Sequence, residues 1–258
     1  MLSFIRTATV ATVSLLAVGN LATAQTLLFD FGRHDGVQGN PTTSPDVNGN
    51  YWNNFSANGE FEVPIGYTVE DLVDTDGTTT TVDLVTNTLF RSNGRNNGGL
   101  LNPDANLLGE FAIGTATEDY WFAETGGSPA IPTTSFTLSG LEPGGLYDFE
   151  LFGTRDTGGG AGGGTRVTRY TLTGGNVQTA TLQTSGSGAG TNGSLGNNDD
   201  TIVFSSVMAS PTGTVVVGVA VESGNFGYLG VMSMTAVPEP ASLGLLGLAG
   251  LALVRRRN

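Results

Sequence analysis

Between residues 25 and 236 no stretch of this chain sustains a 3.6-residue apolar period. Short β-branched and aromatic runs recur instead, parted by clusters of Gly, Asn, Asp, Ser and Pro. That pattern dictates an all-β chain, an antiparallel β-sandwich or jelly roll with about a dozen strands. Thr26–Phe31 reads as the first strand, closed by Gly32, and Tyr51–Phe55 as a short aromatic one. Tyr67–Val73 and Thr79–Val85 flank Asp74-Thr75-Asp76-Gly77 as a hairpin. Arg91–Asn106 is rich in Asn and Gly and reads as a loop. Further strands are expected at Tyr120–Ala123, Thr133–Leu138, Val167–Thr173, Val177–Gln183, Thr201–Val207, Gly213–Val221 and Tyr228–Thr235. Gly158–Gly164 and Ser185–Asp200 read as glycine-rich loops between them.

The clearest local signal lies at Gly140–Gly153. A turn on Pro143 and Gly144 feeds a strand whose Tyr147, Phe149 and Leu151 share the more apolar face, expected to be the core side. Leu146, Asp148, Glu150 and Phe152 fall on the other face.

The two ends differ from this body. Residues 1–24 carry one basic residue, Arg6, an apolar stretch from Ala8 to Val18, and Ala22-Thr23-Ala24 before Gln25. These are the parts of a secretory signal peptide, so signal peptidase and the secretion machinery are expected partners. At the other end, Pro238-Glu239-Pro240 precedes an uncharged run from Ala241 to Val254 and then Arg255-Arg256-Arg257. As a helix that run spans about 21 Å, short of a hydrocarbon core of about 30 Å. A terminal arginine cluster nevertheless marks the cytoplasmic end of a membrane segment rather than the end of a core helix. The expected layout is a signal peptide (1–24), a β-sandwich domain (25–236), and a tail (237–258) with a single hydrophobic helix.

Proline-bounded entry, short span and basic stop, in that order, resemble the PEP-CTERM sorting tail of Gram-negative bacteria. The resemblance implies an inner-membrane exosortase as partner and cleavage near Pro238, Glu239 and Pro240, with Arg255, Arg256 and Arg257 holding the cytoplasmic end. The protein would be anchored transiently in the inner membrane and then released to the cell surface or beyond. A plain C-terminal anchor is the simpler alternative.

Charge and composition narrow the partners. Setting aside Arg6, the three terminal arginines and Glu239 leaves six arginines against 22 acids, a net charge near −16. Such a surface repels nucleic acid and anionic lipid. With no cysteine, thiol catalysis, disulfides and thiolate metal sites are excluded.

Two resemblances concern the body. Leu141-x-Pro143-Gly144-x-x-Tyr147 looks like the tyrosine corner of fibronectin type III domains, in which the Tyr hydroxyl bonds back to the backbone. LLFDFG, NYWNNF, GLEPGGLYDFELFGTRD, RYTLTG and NFGYLGVMSMTAV, taken together, resemble galactose-binding-like jelly rolls of exported bacterial proteins. The second resemblance spans most of the body and implies carbohydrate binding.

No catalytic constellation is legible. His34, the only histidine, lies between Arg33 and Asp35, and no Ser sits in a G-x-S-x-G elbow. It reads as a plain loop histidine. Asp30-Phe31-Gly32 reads as a strand end, and Gly158–Gly164 lacks the Lys-Ser/Thr pair of a phosphate loop. Asp74-x-Asp76-Gly77 lacks the first ligand of a calcium loop and reads as a turn. Asp199 and Asp200, with Asn197 and Asn198, offer oxygens that would suit calcium; no other cofactor is expected.

Tyr51, Trp52, Asn53 and Asn54 pair aromatic faces with planar amides, the combination that binds sugars. Arg155, with Arg91 and Arg95, would add guanidinium forks. The plain alternative puts Trp52 in the core and spends the asparagines on turn backbone. The expected function is that of a non-catalytic surface or exopolysaccharide-matrix protein with weak affinity for glycan. The alternatives are a polysaccharide-processing enzyme using acidic residues and a fibronectin-like adhesion module.

Overall fold

The computed structural model describes residues 24–156 and 164–238. The expected signal peptide up to Thr23, the Gly158-to-Gly163 part of the glycine run, and the tail from Glu239 onward lie outside them. The chain is mostly β, with antiparallel sheets. In chain order the first strands are β1 (Thr26–Phe31), β2 (Asn53–Phe55), β3 (Glu62–Val63), β4 (Thr68–Val69) and β5 (Asp83–Thr86). Next come β6 (Phe90–Asn93), β7 (Tyr120–Glu124), β8 (Thr133–Ser139), β9 (Leu146–Phe152) and β10 (Arg166–Thr173). The last are β11 (Val177–Ser185), β12 (Ile202–Met208), β13 (Val215–Ser223), β14 (Phe226–Leu229) and β15 (Val231–Ala236).

They form three sheets, ordered β12-β9-β15-β1-β2, β11-β10-β13-β8-β5-β4 and β14-β7-β6-β3. The pairings are antiparallel except β1 with β2, which run parallel and set Asp30 opposite Asn54. These sheets hold more strands than the seven of a fibronectin-like module.

Alternation drives the packing. In β9, Tyr147, Phe149 and Leu151 are buried, as their pattern requires. They join Leu27, Phe29 and Phe31 of β1, Tyr170 and Leu172 of β10, and Val215, Val217 and Val219 of β13 in one core. At its centre Phe31 lies 5.1 Å from Phe55, 5.1 Å from Trp121 and 5.3 Å from Phe136, ring to ring.

The other face of β1 is covered too. Leu28, Phe152 and Val231 meet Trp52, Leu108, Phe111, Ile113 and Ala116 in a second cluster. The cover comes from Trp52, just before β2, and from the segment that carries the one-turn helices α1 (Ala105–Leu108) and α2 (Gly114–Thr117) with the 3-10 turn Gly109–Phe111 between them. Asp30 shares that face with Leu28 and is fully buried as a result.

Three expectations need correction. Arg91 to Asn93 belong to strand β6, not to a loop, and Arg91 and Ser92 are buried. A short 3-10 turn at Arg95–Asn97 and the helix α1 then break up the rest of the expected loop. The single strand expected at Tyr228–Thr235 is two strands in different sheets, parted at Gly230, whose N–H donates to the Phe152 carbonyl at 2.9 Å. The Asp74–Gly77 turn does close as a hairpin, with Val73 bridging Thr79 and Gly77 in the left-handed region at φ 81°.

Candidate functional site

Strand β1 delivers Asp30 beneath the α1–α2 cover, the turn after it delivers His34, and Asp119 follows α2 just before β7. The His34 backbone is left-handed, at φ 46°. Its ring Nε2 lies 3.4 Å from Asp30 Oδ1 and 3.7 Å from Asp119 Oδ2. The imidazole is 6% exposed and both carboxylates are fully enclosed. Asp119 Oδ2 accepts the backbone N–H of Arg33 at 2.9 Å and of His34 at 3.3 Å. Asp30 Oδ2 accepts the Thr42 N–H at 3.1 Å.

The surrounding cations are engaged elsewhere. Arg33 pairs with Asp35 at 2.9 Å, and Arg95 pairs at 2.8 Å with Glu118, the neighbour of Asp119. Among the described residues no arginine forms an ion pair with Asp30 or Asp119. Burial, and then the Asp30 carboxylate, push the Asp119 carboxyl well above the usual carboxylate range, against the two backbone N–H donors. Asp119 Oδ1 is buried without a hydrogen-bond partner.

Glycines close on this carboxylate. A Cβ on Gly32 would stand 2.1 Å from Asp119 Oδ2, and one on Gly39 would stand 1.8 Å from it. Only a backbone without side chains admits Asp119 here. Asp30, His34 and Asp119 are, among the described residues, a group whose ligand atoms lie within 4.8 Å of one another and so suit a metal ion. His34 does lie in the loop after β1, as expected, but its ring is buried beside two carboxylates. Sequence spacing concealed the group, because Asp119 lies 85 residues from His34. The usable signals were a charged residue inside the apolar strand LLFDF and an acid heading the aromatic run YWF.

The sugar-binding set expected from sequence is not assembled as one site. Trp52 is buried, its Nε1–H donating to Asp46 Oδ2 at 2.8 Å. Asn53 Nδ2 donates to the Leu28 and Val73 carbonyls, and its Oδ1 accepts the Val73 N–H at 2.8 Å. Asn54 Oδ1 accepts the Thr42 N–H at 2.7 Å and Nδ2 donates to the Thr42 carbonyl at 3.0 Å. Its service is thus to hold the loop that caps Asp30. Tyr51 packs over Gly77, where an added Cβ would come within 2.9 Å of the ring. The plain reading holds for Trp52 and Asn53: core, and backbone support.

Arg155 stands elsewhere, donating to the Tyr228 hydroxyl at 3.2 Å with its guanidinium 5.6 Å from the Phe226 ring centre. Arg91 is buried against Glu124, so neither it nor Arg95 offers a free fork. In the other expected cluster, buried Asn197 organises the loop through the N–H groups of Asp199 and Asp200 at 3.3 and 3.0 Å. Burial, and then Asp200, raise the Asp199 carboxyl.

The C-terminal end defines the class: an exported protein, processed at the membrane. More narrowly, residues 236–258 match the PEP-CTERM protein-sorting motif, which makes exosortase the processing partner. Of that signal, Pro238 is described and exposed, whereas Glu239, Pro240, Arg255, Arg256 and Arg257 lie outside the described residues. The expected tail helix lies there too; among the described residues no helix is long and apolar enough to cross a membrane.

No curated protein matches the sequence. Among solved structures, TmCBM61 in complex with β-1,4-galactotriose is similar over 56% of this chain and 86% of its own, at 16% identity and a TM-score of 0.28. The CBM22-1 and GH10 modules of a Clostridium thermocellum endo-1,4-β-D-xylanase with xylohexaose align over 58% of this chain and 26% of theirs, at 10% identity and a TM-score of 0.29. A cleaved adhesin domain of Lys-gingipain from Porphyromonas gingivalis aligns over 58% and 91%, at 11% identity and a TM-score of 0.28.

Proposed function

We propose that the chain is a non-catalytic component of the cell surface or exopolysaccharide matrix, released there after exosortase processing, with weak affinity for glycan. The observation that carries this reading is where the sorting motif joins the fold. Strand β15 ends at Ala236, whose N–H donates to the Gln25 carbonyl at 2.8 Å, and Val237 N–H donates to the Leu146 carbonyl at 2.9 Å. The body thus closes its last backbone bonds one residue before Pro238. Among the described residues, every member of the two hydrophobic clusters precedes it.

Support for the glycan half comes from Phe61. It is 38% exposed, and it borders a groove lined by Ala57, Asn58, Glu60, Glu62 and Pro64. Arg33 and Arg91 hold the ring from 6.0 and 5.4 Å. An anchored ring beside amide and carboxylate groups meets both needs of a sugar, an apolar surface and hydrogen-bond partners. The test is a glycan array probed with the exported protein and with Phe61→Ala. Binding that falls in the variant supports the reading; steady turnover of the host's own polysaccharide would overturn it in favour of an enzyme.

A further inference from the structure

We propose that Asp30, His34 and Asp119 hold one divalent transition-metal ion of the Zn²⁺ class, at a closed site that stabilises the join between β1 and β7. The proposal goes beyond the sorting and glycan reading and does not depend on it.

Geometry is the first ground. Metal–ligand bonds of about 2.1 Å in a tetrahedron set ligand atoms about 3.4 Å apart. His34 Nε2 stands 3.4 Å from Asp30 Oδ1 and 3.7 Å from Asp119 Oδ2, so small adjustments seat an ion between them. These contacts are long for hydrogen bonds, and the ring nitrogen facing both carboxylates is the one an ion would take.

Charge is the second. Two enclosed carboxylates need neutralisation, and the nearby Arg33 and Arg95 are spent on Asp35 and Glu118. A protonated His34 supplies one positive charge. A divalent ion with neutral imidazole supplies two and balances the site. The third ground is Asp119 itself, 1% exposed, turned toward His34 through Oδ2, with Oδ1 buried and unpartnered. A native fold rarely leaves such an oxygen without a partner unless an ion or water is missing from the account.

The supporting contacts fit as well. Ligating carboxylates are usually held by hydrogen bonds on their remaining lone pairs. Thr42 N–H holds Asp30 in that way through Oδ2, and the Arg33 and His34 N–H groups fix the Asp119 carboxylate through its Oδ2, leaving the lone pairs of Oδ1 open to an ion. One imidazole and two carboxylates favour Zn²⁺ or its neighbours over Ca²⁺, which takes six to eight oxygens. The enclosure of all three side chains keeps the site from bulk solvent, which fits a structural role.

The test uses the full chain, stripped with chelator and dialysed, then titrated with Zn²⁺ by calorimetry and with Co²⁺ by visible absorption. One equivalent of Zn²⁺ is expected to bind and raise Tm, and Co²⁺ should show the intense visible bands of a tetrahedral site. Asp119→Asn and His34→Asn should each weaken Zn²⁺ binding by more than about tenfold and erase the bands. Asn suits the left-handed backbone at position 34, so His34→Asn decides the matter if Asp119→Asn fails to fold. A folded wild-type chain that takes up no stoichiometric Zn²⁺ or Co²⁺, or a folded His34→Asn that keeps the wild-type bands, overturns the proposal.

Discussion

The Tyr147 hydroxyl accepts the Glu142 N–H at 2.9 Å across the Pro143–Gly144 turn. Tyr147→Phe keeps the ring in the core and removes that one acceptor. It should cost about 1 kcal/mol, read as a lower urea midpoint at unchanged m. Gly94 illustrates the opposite limit. Its φ of −170° lies outside the left-handed region, but a Cβ there would stand 2.0 Å from the Gln38 carbonyl oxygen and 2.6 Å from Asp119 Cβ. Gly94→Ala should therefore destabilise by roughly 1–3 kcal/mol or more in the same assay, because backbone must move. Glu110 gives a pH signature. Burial, and then Glu150, raise its carboxyl, against a hydrogen bond from Ser233. A raised carboxyl stabilises the fold below its unfolded pKa and loses that contribution as pH rises through the folded value. The loss should be small, since the residue as a whole stays in wide contact with solvent and only its carboxyl is partly enclosed. Urea midpoints from pH 4 to 7 should fall less in Glu110→Gln than in the parent.

At the scale of elements, hydrophobic alternation made β9, β10 and β13 legible, because each buries every second residue against one core. It failed where burial was polar. Strand β6 buries Arg91 and Ser92, and these are tolerated because Arg91 meets Glu124 and the Ser92 hydroxyl donates to the Glu60 carbonyl at 2.7 Å. No apolar pattern announces such a strand. The same blindness concealed the Asp–His–Asp group, in which Asp119 comes from a segment far from Asp30 and His34 in sequence and is joined to them by the Arg33 and His34 N–H groups. The asparagines of NYWNNF advertised a binding surface in composition, yet their amides satisfy backbone. Sheet order also sets local stability. β13 is paired on both edges, by β10 and β8, whereas β4 and β3 lie at sheet edges. Amide hydrogen exchange should be slowest at Val217 and Val219 and fast at Thr68 and Val69.

At the scale of the whole molecule, the sorting motif follows directly on the last strand of the β body. The sorting motif occupies 236–258, and among the described residues the last backbone bond into the body is made by Val237. Loss of the tail should leave the unfolding transition of the body unchanged. The most direct test is mass spectrometry of the protein recovered from the cells that make it. A mature C-terminus close to Pro238–Pro240, with no peptide containing Leu251 or Arg256, is the result this account predicts. A finished surface protein that retains Leu251 and Arg256 would contradict it.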